Sequence, residues 1–167
     1  VQKLKDIDRK ILSLLTRHSK ASDRQIAREI GVSQPTITRR STKLEETSIN
    51  TYTIVPDFLK LGYQIMAFTF VKLRSYPAAE KTEALVTKGT GWLKTYPNAI
   101  FAADSEGLGK DLIMVSFHKS YSAYSDFMRS YAMGWGELIA DLGSFLVSLG
   151  SGFKIRPFDL KYLAEDL

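Results

Sequence analysis

The sequence contains no cysteine. Disulfides, thiolate metal sites and cysteine nucleophiles are thereby excluded together. It has only two histidines, His18 and His118, a hundred positions apart and without the spacing of a metal pair or a triad. No metal or cofactor is therefore expected. No apolar run approaches the ~20 residues of a membrane helix. No charged-then-apolar leader stands at the start, so the expected address is the cytoplasm. Repeats and low-complexity stretches are absent too. Gly107-x-Gly109-Lys110 lacks the remainder of a phosphate-binding loop.

What is present is unevenly charged. The 167 residues carry a net charge of +5. Residues 1–50 hold 11 Lys and Arg against 6 Asp and Glu, whereas residues 51–167 hold 12 of each. The whole excess sits in the first fifty residues. A polyanion partner for that segment is the simple physical reading, with a solvated basic surface as the alternative.

Ile7, Ile11, Leu14 and Leu15 recur at helical spacing, predicting an amphipathic helix from Ile7 to Arg17 with Asp6 as its cap. His18 ends it, where a cation complements the dipole. Ser22-Asp23-Arg24-Gln25 has the form of a capping box, opening a second helix that turns Ile26, Ala27 and Ile30 inward and stops at Gly31. Ser33 is expected to cap a third helix, with Pro35 in its first turn, running to Glu46. Three short helices around a Gly31-Val32 turn make a helix-turn-helix. With Ile37 inward at 100° per residue, Leu44 lies beneath it. The residues expected at DNA are then Ser33, Gln34, Thr36, Thr38, Arg39, Arg40 and Lys43. Gln34, Thr36, Thr38 and Arg39 are best placed for base edges, and Arg39 leads because bidentate Arg to guanine is the commonest specific contact. Arg40 and Lys43 suit phosphates; a salt bridge from Arg40 to Glu29 or Glu45 is the other reading.

Thr51 to Val55 is β-branched and aromatic and predicts a wing or linker strand, stopped at Pro56-Asp57. Ile65 to Leu73 predicts a strand apolar on both faces. In so small a domain one face serves its own helices, so the other calls for a second subunit. A helix over 78–94, strands over 99–104 and 112–117, a helix over 122–132 and strands over 144–149 and 153–158 follow. The order βαββαβ is that of a ferredoxin-like sandwich, with the last strand and the 159–167 tail as additions. The fold class is thus α+β, divided into a helix-turn-helix at 1–50, a wing or linker at 51–63, and a ferredoxin-like domain with its extension at 64–167.

Several runs stand together: Ile7-Asp8-Arg9-Lys10-Ile11-Leu12, then Ile26-Ala27-Arg28-Glu29-Ile30-Gly31-Val32-Ser33, then Lys43-Leu44-Glu45-Glu46 and Lys60-Leu61-Gly62-Tyr63. In that order they resemble the Lrp/AsnC (feast/famine) transcription regulators over nearly the whole length. The resemblance implies a winged helix-turn-helix that binds double-stranded DNA, and a ligand-sensing domain that forms homodimers and often tetramers or octamers. It also implies an amino-acid effector bound between subunits near the loop Glu106-Gly107-Leu108-Gly109-Lys110-Asp111. Glu106, Gly107, Gly109 and Asp111 are the candidate effector residues. Glycine N–H groups suit a carboxylate and Asp111 suits an ammonium; an ordinary hairpin with glycines at positive φ is the alternative. Ser41 stands where the family places an apolar residue, Ser48 lies near its usual glycine, and the loop departs from Gly-x-Tyr/Phe-Asp.

Two other functions compete. Sirohaem decarboxylases are similar to these regulators, and for that class His118 and Arg129 are the residues to examine. A nonspecific architectural DNA binder could be built of the same parts, distinguished by its specificity ratio at stated salt.

Overall fold

The computed structural model describes residues 4–75, 79–152 and 156–167. Its chain divides into two compact units, residues 1–56 with 154–167, and residues 57–153.

The first unit is built on α1 (Asp6–Arg17), α2 (Asp23–Ile30) and α3 (Gln34–Thr47). Asp6 is inside α1, one residue past the cap position at Lys5, and Asp8 accepts a hydrogen bond from the Lys5 N–H. At α2 the capping box forms as expected: Ser22 Oγ accepts from the Gln25 N–H, and Gln25 Oε1 accepts from the Ser22 N–H at 2.8 Å. Two orphan donors are satisfied reciprocally. Gly31 ends α2 at φ +83°, a conformation that costs a side-chain-bearing residue energy. The core is Ile11, Ile26, Ala27, Ile37 and Leu44.

The structure departs from the sequence reading in three places. Thr51–Val55 is exposed and carries no strand. β-branched composition favours a pleated, half-buried surface, and the described residues offer the segment no ladder to join. The terminal tail packs on the first unit, away from the domain to which the sequence assigned it. A 3-10 helix, Lys161–Glu165, lies against α1, Ala164 is buried, and Ser13 Oγ donates to the Ala164 carbonyl at 2.6 Å. Of the strand expected over 153–158, residues 153–155 lie outside the described residues and 156–158 carry no strand.

The second unit runs β1 (Ile65–Leu73), α4 (Ala79–Leu93), β2 (Ala99–Gly107), β3 (Lys110–His118), α5 (Tyr121–Trp135), β4 (Ile139–Ser148). The four strands form one antiparallel sheet in the order β2-β3-β1-β4. This is the expected βαββαβ sandwich. Ala78, the expected start of α4, lies outside the described residues. Alternation sends Val71 and Leu73 to the helix side, where they pack with Trp135 and Ile139. Phe68, Phe70, Val115 and Phe145 point to the other side, joined in register across β1, β3 and β4. Residues 57–63, read from the sequence as linker, belong to this unit: Phe58 stacks on Phe117 at 4.3 Å and covers one end of that second face. Among the described residues no helix is long and apolar enough to cross a membrane.

Candidate nucleic-acid interface

The third helix has two sides, fixed by its sequence period. Ile37, Ser41 and Leu44, at i, i+4 and i+7, are buried. Gln34, Thr38, Arg39, Thr42, Lys43 and Glu46 are exposed. The cationic side of the helix therefore faces solvent, and the apolar stripe anchors it to α1 and α2.

The expected DNA residues separate into those with partners and those without. Ser33 occupies the cap position, yet its hydroxyl makes no cap bond; it pairs with Thr36 Oγ1 at 2.8 Å. Thr38 Oγ1 donates to Asp23 Oδ2 at 2.6 Å, tying α3 to the start of α2. Arg40, expected at a phosphate or at Glu29 or Glu45, instead holds Asp8: its Nη1 lies 2.8 Å from Asp8 Oδ1, with both side chains largely buried. The physical reason is its place on the flank of the core stripe, which turns it toward α1. Arg39 and Lys43 have no carboxylate within 4 Å among the described residues. With Lys5 they line a cleft between α3 and the start of α1. Sequence reasoning missed a second basic groove, where Arg17, Lys20 and Arg28 gather beside Glu29. Those residues are spread over two helices and a turn, and only the segment's charge count hinted at them.

Ser41 is an oddity inside this unit. It is 9% exposed and its hydroxyl has no hydrogen-bond partner among the described residues. Thr42 and Thr47 on the same helix both donate to the carbonyl four residues back; Ser41 does not.

In the second unit the loop 106–111 is the tip of the β2–β3 hairpin. Gly107 and Lys110 pair, and Leu108 and Gly109 close the turn at φ +51° and +67°. Two consecutive positive φ values match the right-handed twist of the strands, and the first commonly falls to Asn, Asp or Gly. Here it falls to a leucine that is 81% exposed. Glu106, Gly107 and Gly109 are exposed at this tip. Asp111 is differently placed: Oδ1 accepts from Lys72 Nζ at 2.8 Å and Oδ2 from the Leu73 N–H at 2.7 Å. The Lys72 ammonium and the Leu73 N–H hold its carboxyl below the usual carboxylate range. Asp111 thus anchors β3 to β1. Lys110 pairs with Asp141 nearby, which lowers that carboxyl likewise.

His118 is buried, with Nε2 2.8 Å from Ser116 Oγ, Nδ1 facing the Asn98 amide, and Tyr124 and Phe127 against its ring. Burial pushes its ionisation down, favouring the neutral ring. Arg129, by contrast, is 69% exposed and pairs with Asp126. Of the two residues singled out for the decarboxylase reading, one is thus buried and the other exposed.

Residues 4–45 match the model of the AsnC-type helix-turn-helix domain. An HTH-type transcriptional regulator of Pyrococcus furiosus is 43% identical over 68 residues, 40% of this chain and 46% of its own. The HTH-type transcriptional regulator FL11 of Pyrococcus abyssi is 34% identical over 84 residues, 50% of this chain and 56% of its own. The chain spans about half the length of the curated relatives it matches. Among solved structures, an AsnC family transcriptional regulator from Agrobacterium tumefaciens superimposes with a TM-score of 0.75 at 20% identity, covering 96% of this chain and 99% of its own. Escherichia coli AsnC gives 0.72 at 20% identity, covering 94% and 99%. A Neisseria meningitidis transcriptional regulator solved with L-Met gives 0.76 at 18% identity, covering 94% of each. These structures share the fold. The chain thus carries an AsnC-type helix-turn-helix domain over residues 4–45 and shares the fold of these solved regulators.

Proposed function

We propose that this protein is a transcription regulator that binds duplex DNA through α3, works as a homodimer, and answers to an amino acid or similar small effector at the β2–β3 hairpin. The observation that carries the DNA reading is the solvent side of α3, where Arg39 and Lys43 stand without carboxylate partners among the described residues, beside Gln34 and Thr42. A cation already paired must break that pair to take a phosphate or a guanine; these two need not. Arg39 is assigned to a base edge and Lys43 to a phosphate. Arg40 is assigned to positioning α3 through Asp8.

The dimer reading rests on the second face of the sheet. Phe101 and Phe145, 52% and 68% exposed, stand there with Val147, while Lys72–Asp111 and Lys110–Asp141 ion pairs lie toward one end. An apolar, aromatic centre with a charged rim is the anatomy of a protein interface. A second copy supplies the matching face by symmetry. The effector reading rests on the strained, exposed hairpin tip, since strain at a surface turn is retained where contacts require it. The L-Met held by the Neisseria relative supports the amino-acid class.

The test is a binding-site selection followed by titration of the selected duplex. Arg39→Ala is expected to cost about 1–3 kcal/mol and to relax preference at one base position. Lys43→Ala is expected to weaken binding to all sequences alike and to reduce the salt slope by about one. If both variants bind the selected duplex as the unaltered protein does, α3 is not the reader.

A further inference from the structure

An open pocket of about 370 Å³ lies in the second unit, where β3 ends and the chain enters β1 and β2. That volume lies within the range of small-molecule sites. Buried Phe117, His118 and Phe127 form its floor, half-buried Tyr63 and Tyr96 its walls, and exposed Lys119 stands at its rim.

The aromatic residues come from four separate stretches of chain, and their rings interlock. Tyr63 meets Phe117 edge-on at 6.1 Å, and Tyr96 meets Phe127 edge-on at 5.2 Å. Such a cluster takes a further ring edge-to-face or offset-stacked. The ionisable residues of the pocket are not equivalent. The ring nitrogens of His118 face Ser116 Oγ and the Asn98 amide, and burial favours its neutral form, so it contributes a flat surface and no charge. Asp126, also on the lining, is paired with Arg129 at 3.2 Å. Lys119 has no carboxylate within 4 Å among the described residues. Its flexible four-carbon stem lets the ammonium follow a charge at the pocket mouth without a fixed aim. The described lining thus offers aromatic walls and a single uncommitted positive charge.

We propose that this pocket binds a small aromatic monocarboxylate, with its ring against Tyr96 and Phe127 and its carboxylate at Lys119. One cation matches one negative charge; a phosphate monoester carries about two. An amino acid is the poorer fit, because its ammonium would find only Asp126, whose carboxylate Arg129 already holds. The site lies at the opposite end of β3 from the hairpin. It depends neither on the effector reading of that hairpin nor on DNA binding.

The probes are phenylacetate and phenylacetamide, alike in shape and differing by one charge. Each is titrated into the full chain at neutral pH, with the ring C–H resonances of its two histidines as readout. His118 lies in the pocket floor and His18 in the first unit, so one reports binding and the other controls for nonspecific effects. Phenylacetate is expected to shift the His118 resonances saturably and to leave those of His18 in place. It should bind about five-fold tighter than the amide, the worth of one exposed ion pair. Lys119→Ala should remove that preference while both probes still bind. Ala123→Trp, at an exposed rim position in the first turn of α5, should abolish binding of both. Lack of a saturable shift at His118, or an equal response at His18, overturns the proposal. So does a preference that survives Lys119→Ala, or affinities unmoved by Ala123→Trp.

Discussion

Ser41 offers a quantitative test of how the helix-turn-helix is held. The residue lies in the buried stripe of α3 between Ile37 and Leu44, and its hydroxyl is unpaired among the described residues. Replacing it with alanine deletes one oxygen and leaves the backbone and Cβ in place. An unsatisfied buried hydroxyl costs about 1–3 kcal/mol. Alanine also gains roughly half a kcal/mol of helix propensity over serine. The lost oxygen leaves a gap far smaller than a deleted leucine would, so the cavity penalty is minor. The net expectation is stabilisation of the first unit by about 1–2 kcal/mol. Both tryptophans lie in the second unit, so their fluorescence does not report the event. Native-state hydrogen exchange at the Ile37 and Leu44 amides does. Protection at both should rise about ten-fold, since 1.4 kcal/mol is a factor of ten. Unchanged or reduced protection in Ser41→Ala would refute the reasoning, because the hydroxyl would then be satisfied in solution.

Two further outcomes follow from the second unit. His118 has a folded-state pKa lowered by burial from an ordinary value near 6.5. Below about pH 6.5 the unfolded chain takes up a proton that the folded state resists. This contribution to stability is thus complete above that pH and is lost as the pH falls, with a slope of at most about 1.4 kcal/mol per pH unit. Denaturant titrations of the second unit at pH 7.5 and 5.5 should show the loss, and His118→Gln should reduce it; equal pH dependence in both proteins removes His118 as the cause. Phe145→Glu places a charge in the centre of the exposed sheet face. Sedimentation is expected to show a dimer for the unaltered chain and a folded monomer for the variant, and a dimer unaffected by the change moves the interface elsewhere.

The sequence by itself determined the features written in short-range patterns. The Ser22–Gln25 capping box, the Gly31 turn and the Ile37/Leu44 stripe all report contacts within one or two helical turns, and each formed as expected. The two-faced apolar strand Ile65–Leu73 formed with the limits expected from its composition, and the βαββαβ order followed from where the periods change. Asymmetric charge pointed to the first fifty residues as the polyanion-binding segment, because that needs only counting.

Tertiary structure decided everything that depends on which distant positions meet. Arg40 meets Asp8, 32 residues away, a partner that no local pattern announces. The tail settled on α1 through a bond from Ser13 to Ala164, 151 residues away. Ser116, His118 and Asn98 came together from a strand and the turn before another. Thr51–Val55 had the composition of a strand and lacked a neighbour to pair with. Periodicity fixes which way a side chain points from its own element; packing alone fixes what stands opposite. That is why the third helix and its buried stripe were legible in advance, and why the partners of its individual cations were not.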